Sequence, residues 1–166
     1  MALYFEDFEE GQTFVTPART VTEADVVSFA AWTGDYNPVH TDAEFARGTR
    51  FGQRIGHGVL GVSLCLGLMS RIGVFEGSAV ALLGIDDWRF RLPLLIDDTV
   101  HCRITIVGTR LTSSGTTGVL QRRFELVNQR GEVLQDGRMD VMVYCRGQGP
   151  QAQSDGHDGA LTGTER

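Results

Sequence analysis

The chain has no lysine: all 15 of its basic residues are arginine. They are scattered and outnumbered by 21 acidic residues, giving a net charge of −6, so there is no basic run to serve as a nucleic-acid footprint. No apolar run approaches the roughly 18 residues that a membrane-spanning helix needs. The opening Met1-Ala2-Leu3-Tyr4-Phe5-Glu6-Asp7 lacks the basic-then-apolar layout of a secretory signal. Cysteine is sparse, and Cys65, Cys102 and Cys145 each stand in an apolar or strand-like context, as reduced core residues do. These absences point to a cytoplasmic protein without nucleic-acid or membrane partners. The 166 residues that remain, 42% of them hydrophobic, suffice for one domain with a substantial core.

The pattern along the chain divides into helix and loop first, sheet second. Gln148 to Arg166 is rich in Gly, Gln, Asp, Ser and Thr, which predicts a folded domain over residues 1–146 and a disordered tail over 147–166. Thr22 to Thr33 carries Ala24, Val27, Ala30 and Ala31, with Phe29 and Trp32 widening that face, and predicts a packed helix ended by Gly34. Gly58 to Ile72 is apolar nearly all round and predicts a helix buried on almost every side. Strand patterns follow at about 79–91, 99–108, 118–127 and 133–145, with Arg130-Gly131 in a hairpin turn between the last two. Gln12 to Val21 reads as one further strand. A buried helix followed by an antiparallel meander implies an α+β fold in which a sheet wraps the helix.

Chemistry concentrates in Gly34-Asp35-Tyr36-Asn37-Pro38-Val39-His40-Thr41. Pro38 fixes its own φ and drives Asn37 extended, so the preceding helix cannot run through and a rigid loop is expected to present Asp35, Asn37 and His40. An enclosed Asp is a competent general base, a nearby His can hold or relay the second proton, and Asn37 can orient either. The plainer reading is a turn cap and a loop histidine. Gly56-His57-Gly58 opens the apolar helix, where unpaired N–H groups carry the positive end of the dipole and glycine admits a substrate oxygen. That suits an oxyanion site at Gly58, although a simple helix start would look the same, and His57 reads as structural. Arg47, Arg50 and Arg54 could meet the phosphates of a nucleotide-tailed substrate or could be solvated surface residues. Leu66 and Met69 could line an acyl pocket or simply fill the core. Asp35, His40 and His57 lack recognised metal-ligand spacing, so no metal and no cofactor is expected.

The two clusters resemble the hydratase motif of the MaoC-like, (R)-specific enoyl-CoA hydratase family. The pattern stands as Gly34-Asp35-Tyr36-Asn37-Pro38-Val39-His40, then Thr41 to Phe45, then Ala46, and a second block runs from Phe51 to Ile55-Gly56-His57-Gly58. Phe5 to Gln12, Phe90-Arg91-Leu92-Pro93 and Asp97-Asp98-Thr99 are similar to further landmarks of that family. The resemblance implies a hotdog fold, a long central helix in an antiparallel sheet, and a homodimer with acyl-CoA sites at the subunit interface. It makes Asp35 the general base, His40 its partner on the water and Gly58 N–H the oxyanion donor. The implied reaction is syn hydration of a trans-2-enoyl thioester to the (R)-3-hydroxyacyl product.

Three other readings compete. A hotdog thioesterase is disfavoured because the central helix carries no Asp or Glu from Gly58 to Ile72. The thioester could ride on an acyl-carrier protein instead of CoA, which an acidic chain would repel unless a local basic patch met it. A catalytically silent acyl-binding subunit is the third, and keeping Asp35, Asn37, His40 and Gly58 together speaks against it.

Overall fold

The structure, a computed structural model, describes residues 2–149. The tail expected over 147–166 lies outside the described residues from 150 onward, while Gly147 turns at φ 75° and Gln148 N–H bonds back to the Cys145 carbonyl.

The strands are β1 (Thr13–Val15), β2 (Arg19–Thr20), β3 (Ala79–Phe90), β4 (Thr99–Leu111), β5 (Thr117–Val127) and β6 (Val133–Tyr144). They form one antiparallel sheet in the order β1-β4-β5-β6-β3, with β2 also on β4. The single strand expected over Gln12 to Val21 is two short ones. Pro17, which has no N–H to donate, lies between them. The meander expectation also needs correction. β4, β5 and β6 pair in sequence, but β3 pairs with β6 at the far edge. The segment from Arg91 to Asp98 therefore crosses the end of the sheet. There Gly56 N–H bonds to the Leu94 carbonyl, and Ile55 bridges Leu95.

The helices are α1 (Glu23–Thr33), α2 (Pro38–Thr41), α3 (Ala43–Arg47) and α4 (Gly58–Ser70). Helix α4 lies in the curl of the sheet, packing Leu64, Cys65 and Leu68 on the Cys102, Ile104, Phe124 and Leu126 side chains of β4 and β5. This is the hotdog arrangement. The period-two reading of β4 holds, with Val100, Cys102, Ile104 and Ile106 all fully buried. None of the helices among the described residues is long and apolar enough to cross a membrane.

Two burial expectations fail in an informative way. Helix α4 is not covered all round, because Val59, Ser63 and Gly67 form an exposed stripe at four-residue spacing. In α1 the buried positions are Val26 and Ala30, with Phe29 partly covered, while Val27 and Trp32 face outward at 52% and 84% exposure. β3 likewise exposes Val80, Leu82, Leu83 and Ile85 along a sheet edge.

Candidate active site

The Asp35–His40 segment is built by three helix boundaries in succession. Thr22 and Asp25 form a capping box at the start of α1, and Gly34 ends that helix in the left-handed region at φ 76°. The Asn37 side-chain oxygen then accepts from Val39 N–H, with Pro38 in the first turn. Where a rigid loop was expected, His40 thus sits on a one-turn helix. Pro38 cannot continue α1, but its fixed φ is suited to starting α2.

Hydrogen-bond partners set the imidazole tautomers. His40 Nδ1 lies 2.8 Å from the Ile55 carbonyl oxygen, which can only accept, so Nδ1 carries the proton. In the neutral ring Nε2 is then the free base. His57 Nε2 lies 3.0 Å from the Asp35 backbone carbonyl, so that nitrogen donates. The Asp35 carboxylate accepts from Asn37 N–H at 3.2 Å and stands 4.0 Å from His57 Nε2. His57 is 3% exposed and stacked on His40, and its ring lies 5.1 Å from that of Phe29. Donor atoms of Asp35, His40 and His57 all fall within 4.8 Å of one another, close enough to hold one water between them or to accept a divalent cation. His57, expected to be structural, is the piece that joins the two sequence clusters.

At the start of α4, His57 is the N-cap residue and its side chain makes no capping bond. The Gly58 N–H has no acceptor among the described residues, as the first turn of a helix allows. A Cβ at Gly58 would come within 2.9 Å of the Phe90 ring, and one at Gly61 within 2.2 Å of the Gln135 amide. Gln135 donates to the Gly58 carbonyl at 3.0 Å and accepts from Trp88 Nε1–H at 3.1 Å. These glycines therefore let α4 sit directly on β3 and β6. A cavity of about 220 Å³ opens here, lined by His40, Arg50, Gly58, Phe90, Leu94 and Gln135 among others. Gln135 and Phe90 were not read as site residues. The one sequence signal for Gln135 is an amide in the inward register of β6 that otherwise holds Met139, Val141 and Val143.

The remaining candidates separate. Arg50 lines the cavity and stacks on Phe51 at 4.9 Å without an ion pair among the described residues. Arg47 is paired with Glu44, and Arg54 with Glu23. The three arginines therefore do not act as one patch. Leu66 packs against the main core cluster. Met69 faces the buried Arg122, whose guanidinium lies between Phe75 and Phe124, and neither Leu66 nor Met69 lines the His40 cavity.

The MaoC-like domain model matches residues 7–124. Protein MaoC of Klebsiella aerogenes is 38% identical over 102 residues, 61% of this chain, which spans only 30% of that longer protein. An (R)-specific enoyl-CoA hydratase of Rhodospirillum rubrum is 30% identical over 148 residues, 87% of this chain and 94% of its own length. The crystal structure of a MaoC-like dehydratase from Rhodospirillum rubrum superposes with a TM-score of 0.76 at 25% identity, covering 87% of this chain and 99% of that one. With the motif, the fold and these matches in agreement, the chain belongs to the MaoC-like domain family.

Proposed function

We propose that the protein is a hydro-lyase that adds water reversibly to a trans-2-enoyl thioester and forms the (R)-3-hydroxyacyl thioester. The observation that carries this is the meeting of Asp35 and His40 within 4.8 Å, with His40 and Gly58 lining one cavity and the 54% exposed Asp35 side chain standing next to His40 outside that lining. The Asp35 carboxylate and His40 Nε2 hold one water. Asp35 takes a proton from it as the hydroxyl bonds to the β-carbon. The alkene electron pair moves onto the thioester, and its oxygen gains negative charge beside the Gly58 N–H. The enolate then collapses as the proton returns to the α-carbon on the same face, so the addition is syn. Asn37 positions His40 by capping α2, and His57 positions Asp35 through its backbone carbonyl. Three buried free thiols, Cys65, Cys102 and Cys145, support a cytoplasmic setting.

We also propose a homodimer. The edge strand β3 presents Val80, Leu82, Leu83 and Ile85, and an unpaired, apolar edge is a template for pairing. Light scattering should give twice the chain mass, and Leu82→Lys should give the monomer with activity lost. An active monomer would remove the interface from the site.

Hydration of crotonyl-CoA, followed by loss of enoyl absorbance with chiral analysis of the product, tests the activity. Turnover to the (R)-3-hydroxy product is expected. Absence of turnover across short, medium and branched enoyl-CoAs would overturn the CoA hydratase reading in favour of a carrier-protein dehydratase or a silent acyl-binding subunit.

A further inference from the structure

One polar side chain in the cavity beside His40 has no part in the hydration steps above. Gln135 on β6 lines that cavity although it is only 1% exposed. Its Nε2 donates to the Gly58 carbonyl at 3.0 Å, and its Oε1 accepts from the Trp88 indole Nε1–H at 3.1 Å. A carbonyl cannot donate and an indole N–H cannot accept, so flipping the amide would lose both bonds. A methionine would fill nearly the same volume without the cost of burying an amide. Packing alone does not call for glutamine here.

Three features on three elements make room for this chain of bonds. In a regular strand Asp86 and Trp88 would share one face. The β3–β6 register instead slips between Asp86 and Arg89, with Asp87 at φ 51°, a conformation that non-glycine residues rarely adopt. Asp86 stays exposed beside Arg138, while Trp88 turns inward and packs on the main core cluster. Across from the slip on β6, a Cβ at Gly137 would lie 2.5 Å from the Trp88 ring. On α4, a Cβ at Gly61 would lie 2.2 Å from the Gln135 amide nitrogen. The bulge turns Trp88 in, and the two glycines leave space for the indole and the amide. Strained backbone of this kind persists only where the surroundings hold it, and it gathers at functional sites.

We propose that Gln135, braced by Trp88, is a positioning residue that holds the first residue of α4 so that the Gly58 N–H faces the thioester oxygen. The proposal rests on the hydratase reading above and adds a residue to it. Gly58 needs a brace, because it has no side chain to pack and its N-cap, His57, makes no side-chain capping bond. A glycine at a helix end is otherwise free to change its backbone angles. Gln135 ties the Gly58 carbonyl to β6, and Trp88 ties Gln135 to β3, so the sheet fixes the donor. A donor fixed in advance stabilises developing charge without reorienting as that charge builds. Gln135 acts through Gly58 and needs no contact with the reacting atoms.

Steady-state hydration of crotonyl-CoA, in a double-mutant cycle with Gly58→Pro, tests this. Gln135→Met keeps the volume and loses both bonds. Its kcat should fall roughly fivefold, the scale of one hydrogen bond, while KM moves less. Trp88→Phe removes only the brace and should give a smaller loss of the same kind. With Gly58→Pro already in place, Gln135→Met should cost no further kcat, since no N–H is left to aim. Val143→Ala, at a fully buried site in the second core cluster, should lower the Tm and leave kcat unchanged. Wild-type kcat in Gln135→Met, or an equal loss with and without the Gly58 N–H, would overturn the proposal and leave the hydratase reading intact. Should Gln135→Met not fold, wild-type kcat in Trp88→Phe would overturn it instead. If the wild-type protein hydrates no enoyl thioester, the hydratase reading fails, and the brace is judged by the Gly58 amide resonance in heteronuclear NMR spectra. That resonance should shift or broaden in Gln135→Met while that of Gly115, in the turn between β4 and β5, stays put. A Gly58 resonance identical to that of wild type would overturn the brace.

Discussion

The rings of His40 and His57 stack with centroids 3.8 Å apart and planes inclined by 28°. Each is held from the opposite cluster: His40 bonds to the Ile55 carbonyl, and His57 bonds to the Asp35 carbonyl. The two segments thus clamp one another, and the clamp fixes which nitrogen of His40 is free to meet water.

Asp35→Asn keeps the shape of the side chain and removes the proposed base, and His40→Gln removes its proposed partner. Each should lower kcat by roughly 10²–10⁴-fold while the fold persists. The double variant should fall far short of the product of the two losses, because both groups act on one water. Enoyl absorbance kinetics with circular dichroism check this. Near-normal turnover in Asp35→Asn would exclude it as the base.

His57→Phe retains an aromatic ring against His40 but loses the donor to the Asp35 carbonyl. One buried hydrogen bond is worth about 1 kcal/mol, so a drop in kcat of roughly fivefold is expected. KM should move less than kcat, since His57 acts on the position of Asp35. Unchanged kcat would reduce His57 to a space-filling residue.

Gly58→Pro removes the N–H at a position that favours proline, and His57 at ψ 142° already has the conformation that a following proline requires. Its ring must still displace Phe90, so Gly58→Ala serves as the steric control. If the N–H stabilises the thioester oxygen, kcat should fall by roughly 10²–10³-fold in Gly58→Pro and much less in Gly58→Ala. Equal losses would assign Gly58 to packing alone.

The hydrogen bond from Arg91 holds the Asp136 carboxyl below its usual range against the opposing effect of burial, and Arg123 and Arg89 add to it. A carboxyl with a lowered folded pKa stabilises fully above its unfolded value of about 3.9 and loses that contribution as pH falls through the folded value. Asp136→Asn should therefore cost about 2–3 kcal/mol near pH 7, between an exposed and a fully buried pair. The difference from wild type should shrink below about pH 4. Urea unfolding at pH 7 and pH 3 measures both, and a pH-independent difference would contradict the ion-pair account.

The sequence by itself determined the elements and the candidate pair, Asp35 and His40. The apolar run from Gly58 places α4, alternation places β4, and Gly34 with Pro38 marks the break that sets Asp35 and His40 together, because each is a local rule acting within a few residues. Tertiary structure decided what those elements meet. Periodicity in β3 cannot say which strand it borders, so its place beside β6, and with it the crossing from Arg91 to Asp98, was not legible. The apolar stripes on α1 and α4 gave helices without revealing that Val27 and Val59 would stay exposed. The arginines gave no sign of their partners, since Arg91 reaches Asp136 across 45 residues and Gln135 reaches Gly58 across 77. Hydrogen bonds and ion pairs over such separations depend on how strands align, and the approach distance that glycine permits at Gly58 and Gly61 appears only when α4 lies on the sheet.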